Sequence, residues 1–166
     1  MTSRERVLTA MRRQRPDRVP FEFPYGAFTP ALMEVFRQRT GQEDPAAYFG
    51  FDTRDVAFRP PSQKADYAAY YTDLPPDATL DAWGVARRSG SLFHFTHSLK
   101  PMAGFRSARQ VEDYPLPDFT RPECHQHFEA EVQRWHEQGL AVVGAREVTI
   151  FEVAWYMRGM ENLLMD

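Results

Sequence analysis

The chain has 166 residues, with 20 Lys and Arg against 23 Asp and Glu and a formal net charge of -3, a balance that argues against the basic face of a nucleic-acid binder. Its 43% hydrophobic and 14% aromatic content supplies a folded core and excludes wholesale disorder. Cys124 is the single cysteine, so no intramolecular disulfide exists, and no run approaches the roughly 18 apolar residues of a membrane span. The first 18 residues lack the continuous apolar stretch of a secretory signal. A reducing, cytoplasmic compartment is the expected address.

Thr2 and Glu5 have the T-x-x-E spacing of a capping box, in which each side chain satisfies a free backbone donor. Val7, Leu8 and Met11 follow at helical spacing, so a first helix is predicted to about Arg13, ahead of Pro16. Its arginines read as a solvated face. "RVPFEF" is strand-like, with Pro20 marking an edge or strand mouth. Thr29 and Pro30 open the clearest helix and Gly41 closes it. Asp44-Pro45 starts a shorter helix to Phe49, and "TRDVAF" is a further strand before the breaker "RPP".

Residues 60–80 are irregular, with Tyr67, Tyr70 and Tyr71 beside a Pro-rich bend. "WGVARRSGSLFHFTHSL" reads as a β-hairpin turning at Ser89-Gly90. Ser107 opens a short helix. "RPECHQHFEAEVQRWHEQG" is predicted as one helix, striped by Cys124, Phe128, Val132 and Trp135 and ended by Gly139. "LAVVGA" is an apolar strand, and a last helix carries Trp155 and Tyr156. Strands separated by helices imply βαβ units and a parallel sheet. Only the segments near 19–23 and 140–144 look like central parallel strands, and two strands cannot hide both faces of such a sheet. The sheet is expected to be incomplete.

Chemistry is sparse. The Cys124–His127 cluster, with Glu129 and His136, resembles metal-ligand spacing, but its side chains fall on different helix flanks. It reads as a solvated helix face, and no metal site is expected in this chain. His94 and His97 alternate with Phe93 and Phe95 as hairpin residues do. Carboxylates occur as Asp52/Asp55 and Glu147/Glu152. Glu147 follows an apolar strand, the place where α/β barrels carry functional groups. Neither phosphate-binding glycine loops nor a nucleophile elbow is present.

In order along the chain, "SRERVLTAMRRQRPDRVPFEF", "GFDTRDVAF", "DAWGV", "VEDYPLPD" and "VVGAREVTIFEVAWYMRGMENLLMD" resemble segments of the uroporphyrinogen decarboxylase superfamily. The resemblance implies an α/β fold. Residues 1–166 would be the N-terminal part of a (β/α)8 barrel, an incomplete barrel with a β-hairpin-containing insertion between its first two barrel strands. It also implies small-molecule chemistry on a tetrapyrrole or methyl carrier, with no nucleic acid or membrane partner. A partial barrel would be inactive alone, or would pair with its missing half or oligomerise.

Porphyrinogen decarboxylases carry an Arg-Gln-Ala-Gly-Arg signature whose arginines hold substrate carboxylates. The corresponding stretch here is "FPYGAFTP", with Tyr25 and Thr29 at those places. The family's essential aspartate is matched by Arg59 or its neighbour in "DTRDVAFRP". Tyr156, in "AWYMRG", matches the family's active-site tyrosine. These departures favour the divergent branch that acts in corrinoid-linked methyl transfer, where zinc bound by His and Cys activates a thiol. Any zinc and corrinoid would be held by the later half of the barrel. On this reading Tyr156 and Glu147 are the catalytic candidates, and Tyr25 and Arg59 the substrate-binding ones. Stepwise decarboxylation of a porphyrinogen is the alternative, and a non-catalytic half-barrel remnant the third.

Overall fold

A computed structural model describes residues 1–23, 28–63, 65–90, 96–144 and 149–166. The chain divides into two compact units. The first combines Met1–Phe58 with Gln126–Glu147, and the second Arg59–His125 with Val148–Asp166.

The first unit opens with helix α1 (Ser3–Met11), fixed by the predicted capping box: the Glu5 N–H donates to the Thr2 hydroxyl at 3.1 Å, and the Thr2 N–H to the Glu5 carboxylate at 2.8 Å. Helix α2 (Pro30–Thr40) has Thr29 as its cap and ends at Gly41, whose φ of 67° suits glycine. A single turn, α3 (Pro45–Tyr48), follows its Asp44 cap. Strand β1 (Thr53–Val56) pairs in parallel with the strand Ala141–Gly144, with Thr53 opposite Ala141 and Val56 opposite Gly144. Helix α1 and the helix Phe128–Glu137 both pack on this pair.

The segment 19–23, expected as a barrel strand, is not one. Its Phe21 carbonyl accepts the Asp52 N–H at 3.1 Å, but the Phe21 N–H is taken at 2.9 Å by the Asp52 side chain instead of a ladder carbonyl. Parallel pairing therefore falls to Thr53–Val56. Asp52 is fully buried. Its carboxylate accepts from Arg6 at 2.6 Å and from Arg18 at 2.7 and 3.0 Å, and Arg6 turns its other donors to Asp17 at 2.6 and 2.9 Å. Burial works against the charge on Asp52, yet the Phe21 N–H together with Arg18, Ser3 and Arg6 outweighs it and lowers the carboxyl below its ordinary range.

The second unit contains a small antiparallel sheet of β2 (Thr79–Leu80), β3 (Ala86–Ser89) and β4 (Thr96–Leu99), with β3 central. The hairpin expected over 83–99 is thus joined by a third, short strand. Its segment 91–95, with His94, lies outside the described residues. Helix α4 (Ala108–Glu112) follows Ser107 as predicted. The single helix expected over 121–139 is two: α5 (Pro122–His125) in this unit and α6 (Phe128–Glu137) in the first. The Cys124 carbonyl, which a continuous helix would offer to residue 128, instead accepts the Arg59 N–H at 3.0 Å. The strand Ala141–Gly144 is β5. The last helix is likewise broken, into α7 (Ile150–Arg158) and α8 (Met160–Met165), at Gly159 with φ 90°.

The core of this unit gathers Tyr67, Val85, Met102, Phe105, Tyr114 and Met157. Three tyrosine hydroxyls meet three consecutive carbonyls of one turn. Tyr67 lies 3.1 Å from the Ala82 carbonyl, Tyr114 donates to Trp83 at 2.7 Å, and Tyr71 donates to Gly84 at 2.6 Å. Asp81 closes the same turn from the other side, accepting from the Trp83 and Val85 N–H groups. Burial pushes the Tyr71 phenol up to about 12, and that of Tyr114 higher still. Gly84, with φ +78°, has no room for a side chain: a Cβ would stand 2.2 Å from the Tyr114 hydroxyl and 2.6 Å from the Tyr67 ring.

Two outcomes follow from this packing. Asp52→Asn should cost roughly 3–5 kcal/mol in urea denaturation, since it leaves two arginines around an uncharged, buried group. Because the folded-state carboxyl is lowered, its stabilisation is present above the unfolded value of about 4 and is lost as pH falls through that value toward the folded one. Asp52→Asn should therefore flatten the acid limb of the stability profile; an unchanged limb would remove Asp52 as its source. For the glycines, Gly41 and Gly84 share a left-handed backbone, but Gly41 has nothing within 4 Å of a new Cβ. Gly84→Ala should be more destabilising than Gly41→Ala by about 1–3 kcal/mol, the overpacking cost alone. Equal melting temperatures for the two variants would contradict the tyrosine arrangement.

Candidate functional site

Of the four residues nominated from sequence, Tyr25 and Glu147 lie outside the described residues. Arg59 is exposed at the start of the second unit, where its backbone N–H anchors to Cys124. Tyr156 is half-buried on α7 and packs against the core of that unit. The structure sets Tyr156 against Trp155 and Arg87, not against Arg59.

Local sequence explains how Tyr156 is held. Thr149 and Glu152 form a capping box that fixes the start of α7: the Glu152 N–H donates to the Thr149 hydroxyl at 3.3 Å, and the Thr149 N–H to the Glu152 carboxylate at 2.7 Å. At the other end the Met157 carbonyl accepts the Met102 N–H at 3.0 Å. Arg158 ties the same end down, donating to the Met102 carbonyl at 2.8 Å and to Asp166 at 2.7 and 3.0 Å. Tyr156 stacks on Trp155, ring centroids 3.9 Å apart, and the Arg87 guanidinium stands 4.8 Å from the Tyr156 centroid. A guanidinium over an aromatic face is attracted by the ring quadrupole. Asp81 faces Arg87 at 3.3 Å.

The Tyr156 hydroxyl makes no hydrogen bond among the described residues. Arg87 comes from β3, where it stands opposite Ser98 of β4. Directly opposed residues of an antiparallel pair share a face, so Ser98 lies on the Tyr156 side of the sheet. Sequence reasoning missed both residues. "ARRS" places two arginines on opposite faces by alternation, but which of them turns toward α7 depends on the packing of α7, which no local pattern encodes.

The other candidate groups serve structure. Burial pushes the Cys124 thiol up, away from thiolate character. The His125 and His127 rings each contact a backbone carbonyl, of Thr120 at 3.2 Å and of Ala57 at 3.1 Å. Glu152 is spent on its cap and Asp52 on its arginines. Among the described residues no three His, Cys, Asp or Glu side chains gather to hold a metal ion, and no helix is long and apolar enough to cross a membrane. A concavity of about 630 Å³ is lined by Phe128, Glu129, Val132, Gln133, His136 and Glu137. All six belong to α6, so it is one helix's outer surface and not a cleft. A smaller hollow of about 220 Å³ lies among Pro61, Pro115, Pro117, Tyr67 and Arg121. Neither contains Tyr156.

Compared with known proteins, the chain matches no family model, no curated protein and no solved structure.

The free hydroxyl and the stacked ring of Tyr156 separate in mutants. Tyr156→Phe should leave stability within about 0.5 kcal/mol of the parent chain. Tyr156→Ala should cost about 2 kcal/mol or more, by stripping the ring from Trp155, Arg87 and the core. A large loss in Tyr156→Phe would mean that the hydroxyl has a structural partner.

Proposed function

We propose that the chain is the N-terminal part of a uroporphyrinogen-decarboxylase-like barrel enzyme of the branch acting in corrinoid-linked methyl transfer. The single observation that carries this reading is Tyr156, the residue that best matches the family pattern. Its hydroxyl has no hydrogen-bond partner among the described residues, and its helix is fixed at both ends. The parallel β1–β5 pair, with helices α1 and α6 against it, is in keeping with a barrel segment. Tyr156 would orient a small substrate by hydrogen bonding. The zinc used in such methyl transfer has no ligand set among the described residues. On this reading the chain's own residues would bind and orient the substrate.

A second reading is favoured by Arg87. Decarboxylation of a porphyrinogen calls for basic groups beside the tyrosine, and a guanidinium 4.8 Å from its ring is one. The two readings separate in an assay of the protein encoded by the complete reading frame that contains these residues. The first expects transfer of a methyl group from methylcobalamin to a thiol and no turnover of uroporphyrinogen. Formation of coproporphyrinogen would overturn it in favour of decarboxylation, and inactivity in both assays would overturn both.

A further inference from the structure

The face shared by β3, β4 and α7 carries hydrogen-bond donors that the fold leaves unused. Arg87 engages Asp81 through Nε at 3.4 Å and Nη2 at 3.3 Å, both at the outer limit of hydrogen bonding. The other Asp81 oxygen is committed to the Trp83 and Val85 N–H groups at 2.9 and 3.0 Å. The Arg87 Nη1 group has no partner among the described residues, and the side chain is 37% exposed. Across the strand pair, the Ser98 hydroxyl makes no hydrogen bond among the described residues, and neither does that of Tyr156, whose ring centroid lies 4.8 Å from the Arg87 guanidinium.

Charge on this face points the same way. Lys100 donates to the Ser98 carbonyl at 2.9 Å, and its side chain lies against Gly159 at the end of α7. Arg87 and Lys100 thus outnumber Asp81. Arg88 belongs to the opposite face by strand alternation, and is paired there with Asp77 at 2.8 Å. The unused groups are a guanidinium edge and two hydroxyls, with the Trp155–Tyr156 stack as a wall. Such a set matches a carboxylate or phosphate, which is planar or multiply oxygenated and accepts several bonds at once.

We propose that Arg87, Ser98 and Tyr156 form a binding site for a small oxyanion, which enters as the carboxylate or phosphate of the substrate. The site rests on the reading of Tyr156 as a substrate-orienting residue, but it is tested by binding and not by turnover. Arg87 supplies charge and a two-donor fork, with Asp81 holding the far side of the guanidinium. Tyr156 and Ser98 each donate one bond, and Lys100 adds attraction from the rim. Asp81 keeps Arg87 aimed in the absence of a ligand, so binding needs little reorganisation.

Isothermal titration of the 166-residue chain at low ionic strength, with sodium phosphate and with citrate as probes, tests this directly. The expected result is a dissociation constant in about the millimolar range for at least one probe. Arg87→Gln should weaken binding about tenfold or more, and Ser98→Ala and Tyr156→Phe severalfold each, while Arg88→Gln leaves it unchanged. A preference for citrate marks a carboxylate ligand, and a preference for phosphate a phosphoryl one. Circular dichroism verifies that each variant is folded. Should Arg87→Gln unfold, Arg87→Lys keeps the charge and loses the fork, and unchanged affinity in it overturns the proposal. So does the absence of binding in the parent chain, or equal losses in Arg87→Gln and Arg88→Gln. Oxyanion binding that depends on Arg87, in a protein that fails both enzymatic assays, leaves this site standing and removes only the proposed reaction.

Discussion

A carboxylate with no exposure to solvent organises the first unit. Asp52 sits immediately before β1, and its oxygens reach Arg6 in α1, Arg18 in the following turn and the backbone of Phe21. Removing a charge from water costs several kcal/mol unless partners replace the solvent. Here two guanidinium groups and a backbone N–H do so. Helix α1, the segment 17–23 and the start of β1 are therefore bound to one point. The strand ladder begins only one residue later, at Thr53 opposite Ala141.

In the second unit the corresponding constraint is made of three tyrosine hydroxyls and one carboxylate around a single turn. Tyr67, Tyr71 and Tyr114 meet the carbonyls of Ala82, Trp83 and Gly84, and Asp81 takes the N–H groups of the same turn. A buried phenol with a carbonyl partner satisfies both groups, so the turn entering β3 has one available geometry. That turn sets the position of Arg87, two residues beyond Val85. The aromatic core and the candidate oxyanion site thus share a single support, in which the hydroxyls of Tyr67, Tyr71 and Tyr114 are used and those of Tyr156 and Ser98 are left over.

Helix starts were legible in the sequence because capping is local. Thr2 with Glu5, Thr29 with Pro30, and Asp44 with Pro45 all open helices where their spacing predicts. Strand β1 was also legible, in the run "TRDVAF" ahead of the breaker "RPP". Three features were not, and each depends on a partner distant in sequence. The segment 19–23 has the composition of a strand but gives its Phe21 N–H to a side chain 31 residues away. The helix over 121–139 has an unbroken stripe, yet its Cys124 carbonyl goes to Arg59. Tyr156 was nominated from its sequence context, whereas Arg87 becomes its neighbour only through the packing of α7 against the hairpin sheet. No pattern confined to one element records that contact.

The bond between the Met102 N–H and the Met157 carbonyl has a consequence for how the tyrosine is aimed. Met157 is the next residue after Tyr156, and each residue of an α-helix advances the azimuth by about 100°. Turning α7 by even one position would pull that carbonyl away from Met102 and carry Arg158 away from the carbonyl it donates to. The bearing of Tyr156 is therefore set by main-chain atoms. Substituting the side chains of residues 102 and 103 would leave it as it is, while a one-residue insertion between Tyr156 and Met157 would turn the hydroxyl by about 100° relative to that anchor and out of the site.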